Sequence, residues 1–174
     1  RIGAFVVAET VKALAGKKLP VALYGVSTVQ EEIGLRGART SAFGIDPHAG
    51  IAIDVGFATD FPDADQRTYG EIFCGKGPII ARGANINPVL GKMLEAAAEK
   101  NKIPVQIAGE PRATGTDANS IQVNRSGVAA ALVSVPNRYM HTPVEVVSLD
   151  DAENTVKLLA ATILAMKPGT DFTP

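Results

Sequence analysis

One feature limits what this chain can fold into more than any other: apolar, β-branched runs alternate with segments of helical pattern from end to end. "LPVALYGVSTV", "AGIAIDVGFA", "IIARGANI", "IPVQIAGE" and "GVAAALVSVPNRY" are the five runs. The first two are nearly continuous in apolar residues, the pattern of strands covered on both faces. Between and around them, Ile2 to Leu14 carries a helical apolar face stopped by Gly16, "GLRGARTSAFGI" reads as a short helix, and "NPVLGKMLEAAAEKN" as a longer one with proline at its start. "PRATGTDANSIQVNR" is a glycine-containing loop entering a helix, and Leu149 to Met166 is a closing helix with Asp150 or Asp151 expected as its N-cap. "PDADQRTYGEIFCGKGP" reads as loop. Strand–helix alternation of this kind predicts a three-layer α/β/α fold around a largely parallel, mixed sheet.

Composition excludes several classes. With 174 residues, 46% hydrophobic and 20% charged, the chain can bury one sizeable core and is neither disordered nor fibrous. A net charge of −1 supplies no field for nucleic acid or an anionic membrane. No apolar run is long enough to span a bilayer. The single cysteine, Cys74, permits no internal disulfide and fits a reducing, cytoplasmic compartment. The chain opens on Arg1 and is helical almost at once, so the expectation is a piece of a longer protein.

Ligands of open α/β sheets bind beyond the carboxyl ends of strands. Four polar features are expected there: the adjacent Glu31 and Glu32, Asp54 within its apolar run, the Thr116–Asp117 loop, and His141. Each has a plain structural reading. A glutamate pair at a strand end is commonly solvated surface. Asp54 could cap a loop, His141 could be a satisfied loop histidine, and "TGTDAN" could be an N-capping turn. His48 in "DPHAG" reads as a turn residue and Cys74 as a plain small one. "GKGP" around Lys76 resembles a phosphate loop only in part, lacking the spacing and preceding a strand. Taken together, the carboxylates and the imidazole are ligand types that zinc, cobalt or manganese accept. Metal-assisted hydrolysis also needs a base that binds no metal. Adjacent glutamates diverge on an irregular turn and can divide those two tasks.

"VSTVQEEIGLRGA", "AIDVGFATD", "GKGPII", "GTDAN" and "RYMHTPVEV" occur here in the order and approximate spacing of a known family. By them the chain resembles, over nearly its whole length, the dinuclear-metal aminopeptidases of metallopeptidase family forty-two. These are the glutamyl-aminopeptidase-like or tetrahedral aminopeptidases, some of which carry an endoglucanase name. The resemblance implies the C-terminal part, residues 1–174, of a zinc-peptidase-like catalytic domain, truncated at its N-terminal side, with the dimerisation domain upstream. It implies Glu31 as catalytic base, Glu32 and His141 as ligands of one metal, Asp54 as ligand of the other, and Asp117 as a pocket residue. Two divalent ions, zinc or cobalt, would serve the complete protein, and this chain alone would hold none or a partial set. The implied substrates are peptides and the implied assembly a homo-oligomer, a dodecamer in full-length relatives, with no nucleic-acid or membrane partner.

Two departures matter. The family often reads Asp-Val-Thr-His where this chain has Asp54-Val55-Gly56-Phe57, which bears on substrate selection. The family's bridging aspartate falls just ahead of the segment matching Arg1-Ile2-Gly3, so one expectation is that this chain by itself is not an active aminopeptidase. Two other readings compete: a glycoside hydrolase, which needs two carboxylates roughly 5–9.5 Å apart and leaves Asp54 and His141 idle, and a non-catalytic assembly module.

Overall fold

The computed structural model describes residues 1–174. It is a mixed α/β domain: α1 (Ile2–Leu14), α2 (Arg36–Ile45), β1 (Ala49–Phe57), α3 (Gln66–Tyr69), β2 (Ile79–Gly83), α4 (Pro88–Asn101), β3 (Gln106–Glu110), α5 (Asp117–Gln122), β4 (Ala129–Arg138), β5 (Val146–Val147) and α6 (Leu149–Ala165). The main path of the sheet is β1-β4-β2-β3, with β5 paired to the end of β4. β1 runs parallel to β4 from Ala49↔Ala129 to Phe57↔Asn137, and β2 runs parallel to β3. The two pairs join through a short antiparallel contact, Ile79↔Ser134 and Ile80↔Val133. Most of the pairing is therefore parallel.

The strand period of two sorts side chains into two unequal layers. On one face Ala131, Val133 and Val135 of β4 and Ile80 of β2 meet Val6 of α1, Leu90 and Leu94 of α4, and Leu158 of α6 in the main core. Ile51 and Ile53 of β1 pack against the same cluster. Fully burying each such leucine or valine stabilises by about 1.5–3 kcal/mol. On the other face Ala52, Ala81 and Leu132 meet Ala118 of α5 in a thin second cluster. By the same alternation Asp54 shares the face of Ala52, beneath α5. α1 sits hard against β1: a Cβ on Gly3 would lie 2.6 Å from the Ile53 carbonyl oxygen.

Three expectations are corrected. "LPVALYGVSTV" is extended but pairs with no strand, and Tyr24 and Val29 stand exposed at 64% and 67%. It is apolar enough for a strand, but no other strand of the chain lies alongside it. The N-cap of α6 is Ser148, not Asp150 or Asp151. Asp151 lies inside the first turn, fully buried, accepting from the Gly75 and Gly77 N–H groups at 2.7 Å each. The "GKGP" loop thus spends its amides on the chain's own carboxylate. The segment read as loop includes the one-turn helix α3, capped by Asp65 through the Thr68 N–H.

Candidate active site

The Glu31–Glu32 turn is built by backbone geometry. Gln30 and Leu35 both take left-handed conformations, with φ of 59° and 55°, bracketing an irregular turn. The Glu31 carbonyl accepts from the Gly34 and Leu35 N–H groups at 3.1 and 2.9 Å. Gly37 closes the turn by donating to the Val29 carbonyl at 2.9 Å. A Cβ on Gly37 would meet the Val29 N and O at 2.4 Å, so only glycine fits there. Held this way, Glu31 is half-buried and Glu32 exposed.

Glu31, Glu32, Asp54 and Asp117 line one cleft of about 870 Å³ between β1, α1 and residues 21–28. Asp54 is the sixth residue of β1, within the strand rather than past its end. Its carboxylate accepts from the Val55 N–H at 2.8 Å. Asp117 reaches the cleft by another route. β2 and β3 run opposite to β1 and β4, so the chain leaves β3 at the far end of the sheet and returns over its face in α5. There Thr28 donates to Asp117 Oδ2 at 2.7 Å, tying the glutamate turn to the α5 N-terminus. Asp117 Oδ1 is buried and has no partner. Thr116, the N-cap of α5, makes no side-chain cap bond, so "TGTDAN" is more than a capping turn.

The electrostatics agree with the geometry. Burial first, then the charges of Asp54, Glu32 and Asp117, push the Glu31 carboxyl above the ordinary 4.5, with His141 opposing. Burial likewise pushes Asp54 above 3.8, the Val55 N–H opposes it, and Asp117 and Glu32 add to the rise. No lysine or arginine side chain forms an ion pair with any of the four acids. A group of crowded, unpaired carboxylates is a site of stored repulsion that a cation relieves.

His141 stands apart from the cleft walls. It follows β4 on an exposed turn, left-handed at φ 62°, with its backbone N–H donated to Glu145 Oε1 at 2.7 Å. Its charge reaches Glu31, but no three His, Cys, Asp or Glu side chains surround one point closely enough to form a cage. The donor set therefore fits a divalent cation in type and charge but does not close around one. His48 lines the cleft, exposed in its turn.

Sequence reasoning missed two supporting groups. One is Thr28, inside the "VSTVQEE" stretch. The other is the Arg138–Asp60 pair, bonded Nε to Oδ1 at 2.8 Å and Nη2 to Oδ2 at 2.5 Å. With the Phe61 and Tyr139 rings 4.8 Å apart, it clamps the segment after β1 to the segment leading to His141. Both residues of the pair lie in quoted motifs, and their opposite charges at two strand ends were the available signal.

Comparison with known proteins fits this geometry. Residues 1–158 match the family model described as M42 glutamyl aminopeptidase. The lysyl aminopeptidase of Pyrococcus furiosus is 50% identical over 152 residues, 87% of this chain and 43% of that protein. The solved aminopeptidase from the archaeon Desulfurococcus kamchatkensis superposes with a TM-score of 0.87 at 40% identity, over 96% of this chain and 47% of that one. The TET1 peptidase of Pyrococcus horikoshii, described as assembling into a tetrahedron or a large octahedral shell, superposes with a TM-score of 0.77 at 29% identity, over 95% of this chain and 48% of that one. The chain spans just under half the length of these relatives.

Proposed function

The chain belongs to the M42 glutamyl aminopeptidase family, and from that premise we propose that its polypeptide removes N-terminal amino acids from peptides by metal-dependent hydrolysis. The observation that carries this reading is the gathering of Glu31, Glu32, Asp54 and Asp117 in one cleft with no basic side chain paired to them. A peptide's free ammonium is drawn to such a field.

Glu32, Asp54 and His141 are the residues that would hold divalent ions, zinc or cobalt. When bound, such ions lower the pKa of water and polarise a carbonyl. Glu31 is the base. It is half-buried, and burial together with the neighbouring acids raises the proton affinity of its carboxyl. It takes a proton from the attacking water and delivers that proton to the departing amide nitrogen as the C–N bond breaks. Asp117 orients the glutamate turn through Thr28. Activity belongs to the polypeptide at the relatives' full length, because the donors of this chain do not surround one point. The full-length protein assembles as a homo-oligomer, of the closed-shell kind described for the Pyrococcus horikoshii TET1 peptidase. It acts in the cytoplasm. No helix here is long and apolar enough to cross a membrane.

The test uses aminoacyl-nitroanilides with zinc or cobalt. In the full-length polypeptide, Glu31→Gln lowers kcat by ~10²–10⁴-fold with metal content unchanged. Glu32→Gln lowers metal content first. The reverse pattern of metal analysis overturns the assignment of roles. A 174-residue chain as active as the longer polypeptide shows that the ligands are elsewhere.

A further inference from the structure

A second, smaller pocket, of about 50 Å³, opens on the α5 side of the sheet, beginning at Gly56 and Ser134. Ser134 stands opposite Asp54 in the β1–β4 register, and Ile79 stands opposite Ser134 across the antiparallel joint. Side chains directly opposite across paired strands share a face, so these three form one row. Ile79, Ala81 and Leu132 make an apolar floor that runs from this row toward β3. Gly56 lets the floor close, since a Cβ there would lie 2.6 Å from Ile79 Cδ1 and 2.9 Å from Ser134 Cβ. The Phe57 and Tyr69 rings, 5.0 Å apart and both exposed, form the wall. Gly56 and Phe57 are also where this chain parts from the Asp-Val-Thr-His common in the family. At the far end, on β3, stands Glu110, the one charged residue of the lining. It is half-buried, and burial raises its carboxyl above the ordinary 4.5. No basic side chain forms an ion pair with it, Arg112 two residues on included. A carboxylate in apolar surroundings is costly until a cation reaches it.

We propose that this pocket takes the first side chain of the peptide substrate and that Glu110 selects a basic one, lysine or arginine. The inference rests on the aminopeptidase reading, in which the peptide's ammonium and first carbonyl lie among Glu31, Glu32 and Asp54. A substrate held by those acids is one strand away from the pocket, within reach of a long side chain. The methylene stem of lysine or arginine lies along the apolar floor and the two rings, and its charged end meets the Glu110 carboxylate. Other occupants fit less well. A wholly apolar side chain covers the floor but buries the carboxylate further without a partner. An acidic one meets a like charge. A divalent cation finds one carboxylate where it needs several ligands.

The test compares lysyl- and norleucyl-nitroanilide on the full-length polypeptide with zinc or cobalt, because norleucine has the lysine stem without the ammonium. Wild type is expected to favour the lysyl substrate in kcat/KM by about 10-fold or more, the scale of one charge-assisted hydrogen bond. Glu110→Gln should erase that preference by slowing the lysyl substrate, with norleucyl turnover within about 2-fold of wild type and metal content unchanged. A lysyl preference that survives Glu110→Gln, or a loss shared equally by both substrates, overturns the proposal. Equal use of the two substrates by wild type overturns it as well, while leaving the aminopeptidase reading intact. Turnover of no aminoacyl substrate would instead sink the aminopeptidase reading, and binding then decides. Lysinamide should raise the Tm of wild type more than norleucinamide does, and Glu110→Gln should remove the difference. No difference between the two amides on wild type overturns the proposal.

Discussion

β1 and β4 pair in register from end to end, yet they sit in opposite surroundings. β4 is buried along nearly its whole length, while β1 is half-exposed at all but a few positions. The acids on the two sides differ in the same way. On the closed side Asp151 is fully buried with both oxygens taken by backbone N–H groups, and Asp60 is clamped by Arg138. On the open side Glu31 and Asp54 face other acids, and Asp117 keeps one oxygen buried without a partner. A carboxylate whose lone pairs are satisfied internally holds the fold together. One left among like charges raises the energy of the fold and is kept for something that binds. The difference should be measurable: neutralising a closed-side acid should destabilise, and neutralising an open-side acid should not.

The largest effect is expected at Asp151. Asp151→Ala orphans the Gly77 amide in a buried site and the Gly75 amide in a part-buried one, buries a vacancy in place of a fully buried carboxylate, and each unsatisfied buried donor costs about 1–3 kcal/mol. It also removes a negative charge from the first turn of α6. A loss of about 3 kcal/mol or more should appear in urea unfolding at neutral pH. A loss below about 1 kcal/mol would mean that water takes over both amides and that this side is not closed.

Asp60 should come next. Its bidentate bonds to Arg138 hold its carboxyl below the ordinary 3.8, with the Cys74 N–H adding to the effect. A depressed carboxyl contributes stability that is fully present above the ordinary value and is lost as pH falls through the folded one. Asp60→Asn should therefore cost about 1.5–3 kcal/mol at neutral pH, the range for hydrogen bonds to charged groups. The gap between variant and wild type should close below about pH 4, because the protonated aspartate has also lost its charge. Thermal scans across that range check both the size and the sign. A constant gap would show that packing of the Phe61–Tyr139 rings, and not the ion pair, carries the contact.

Much of this contrast was legible in the sequence where the cause is local. α4 announces itself by Asn87, which caps two N–H groups, followed by Pro88. β4 and α6 follow from unbroken apolar periodicity. Of the residues expected together, Glu31, Glu32, Asp54 and Asp117 line one cleft and His141 does not, and the path to Asp117 was not legible: the antiparallel joint at Ile79↔Ser134 sends it back over the sheet face. What stayed hidden depends on distant partners. Nothing near Asp151 in sequence points to Gly75 and Gly77. "LPVALYGVSTV" has every property of a strand except a neighbour to pair with, and neighbours are a property of the whole fold.

The smallest effect, and the one that decides the comparison, is expected at Asp54. Asp54→Asn keeps the shape of the side chain and an oxygen able to accept from the Val55 N–H. It removes a charge that burial, Asp117 and Glu32 all penalise. A carboxyl raised above its ordinary value in the fold weakens stability when ionised and recovers it as pH falls toward the ordinary value, the opposite sign to Asp60. Asp54→Asn should therefore leave stability unchanged or raise it, by no more than about 0.5 kcal/mol at neutral pH. Any gain should vanish on acidification, as wild-type Asp54 takes up its proton. Glu31 should ease in parallel, since Asp54 is the largest of the charges acting on it. Paired Tm measurements of wild type and variant at neutral and acid pH, in chelator, read both effects. A destabilisation as large as that of Asp60→Asn would place Asp54 among the structural acids, and the division between the two sides of the sheet would fail at the residue where it matters most.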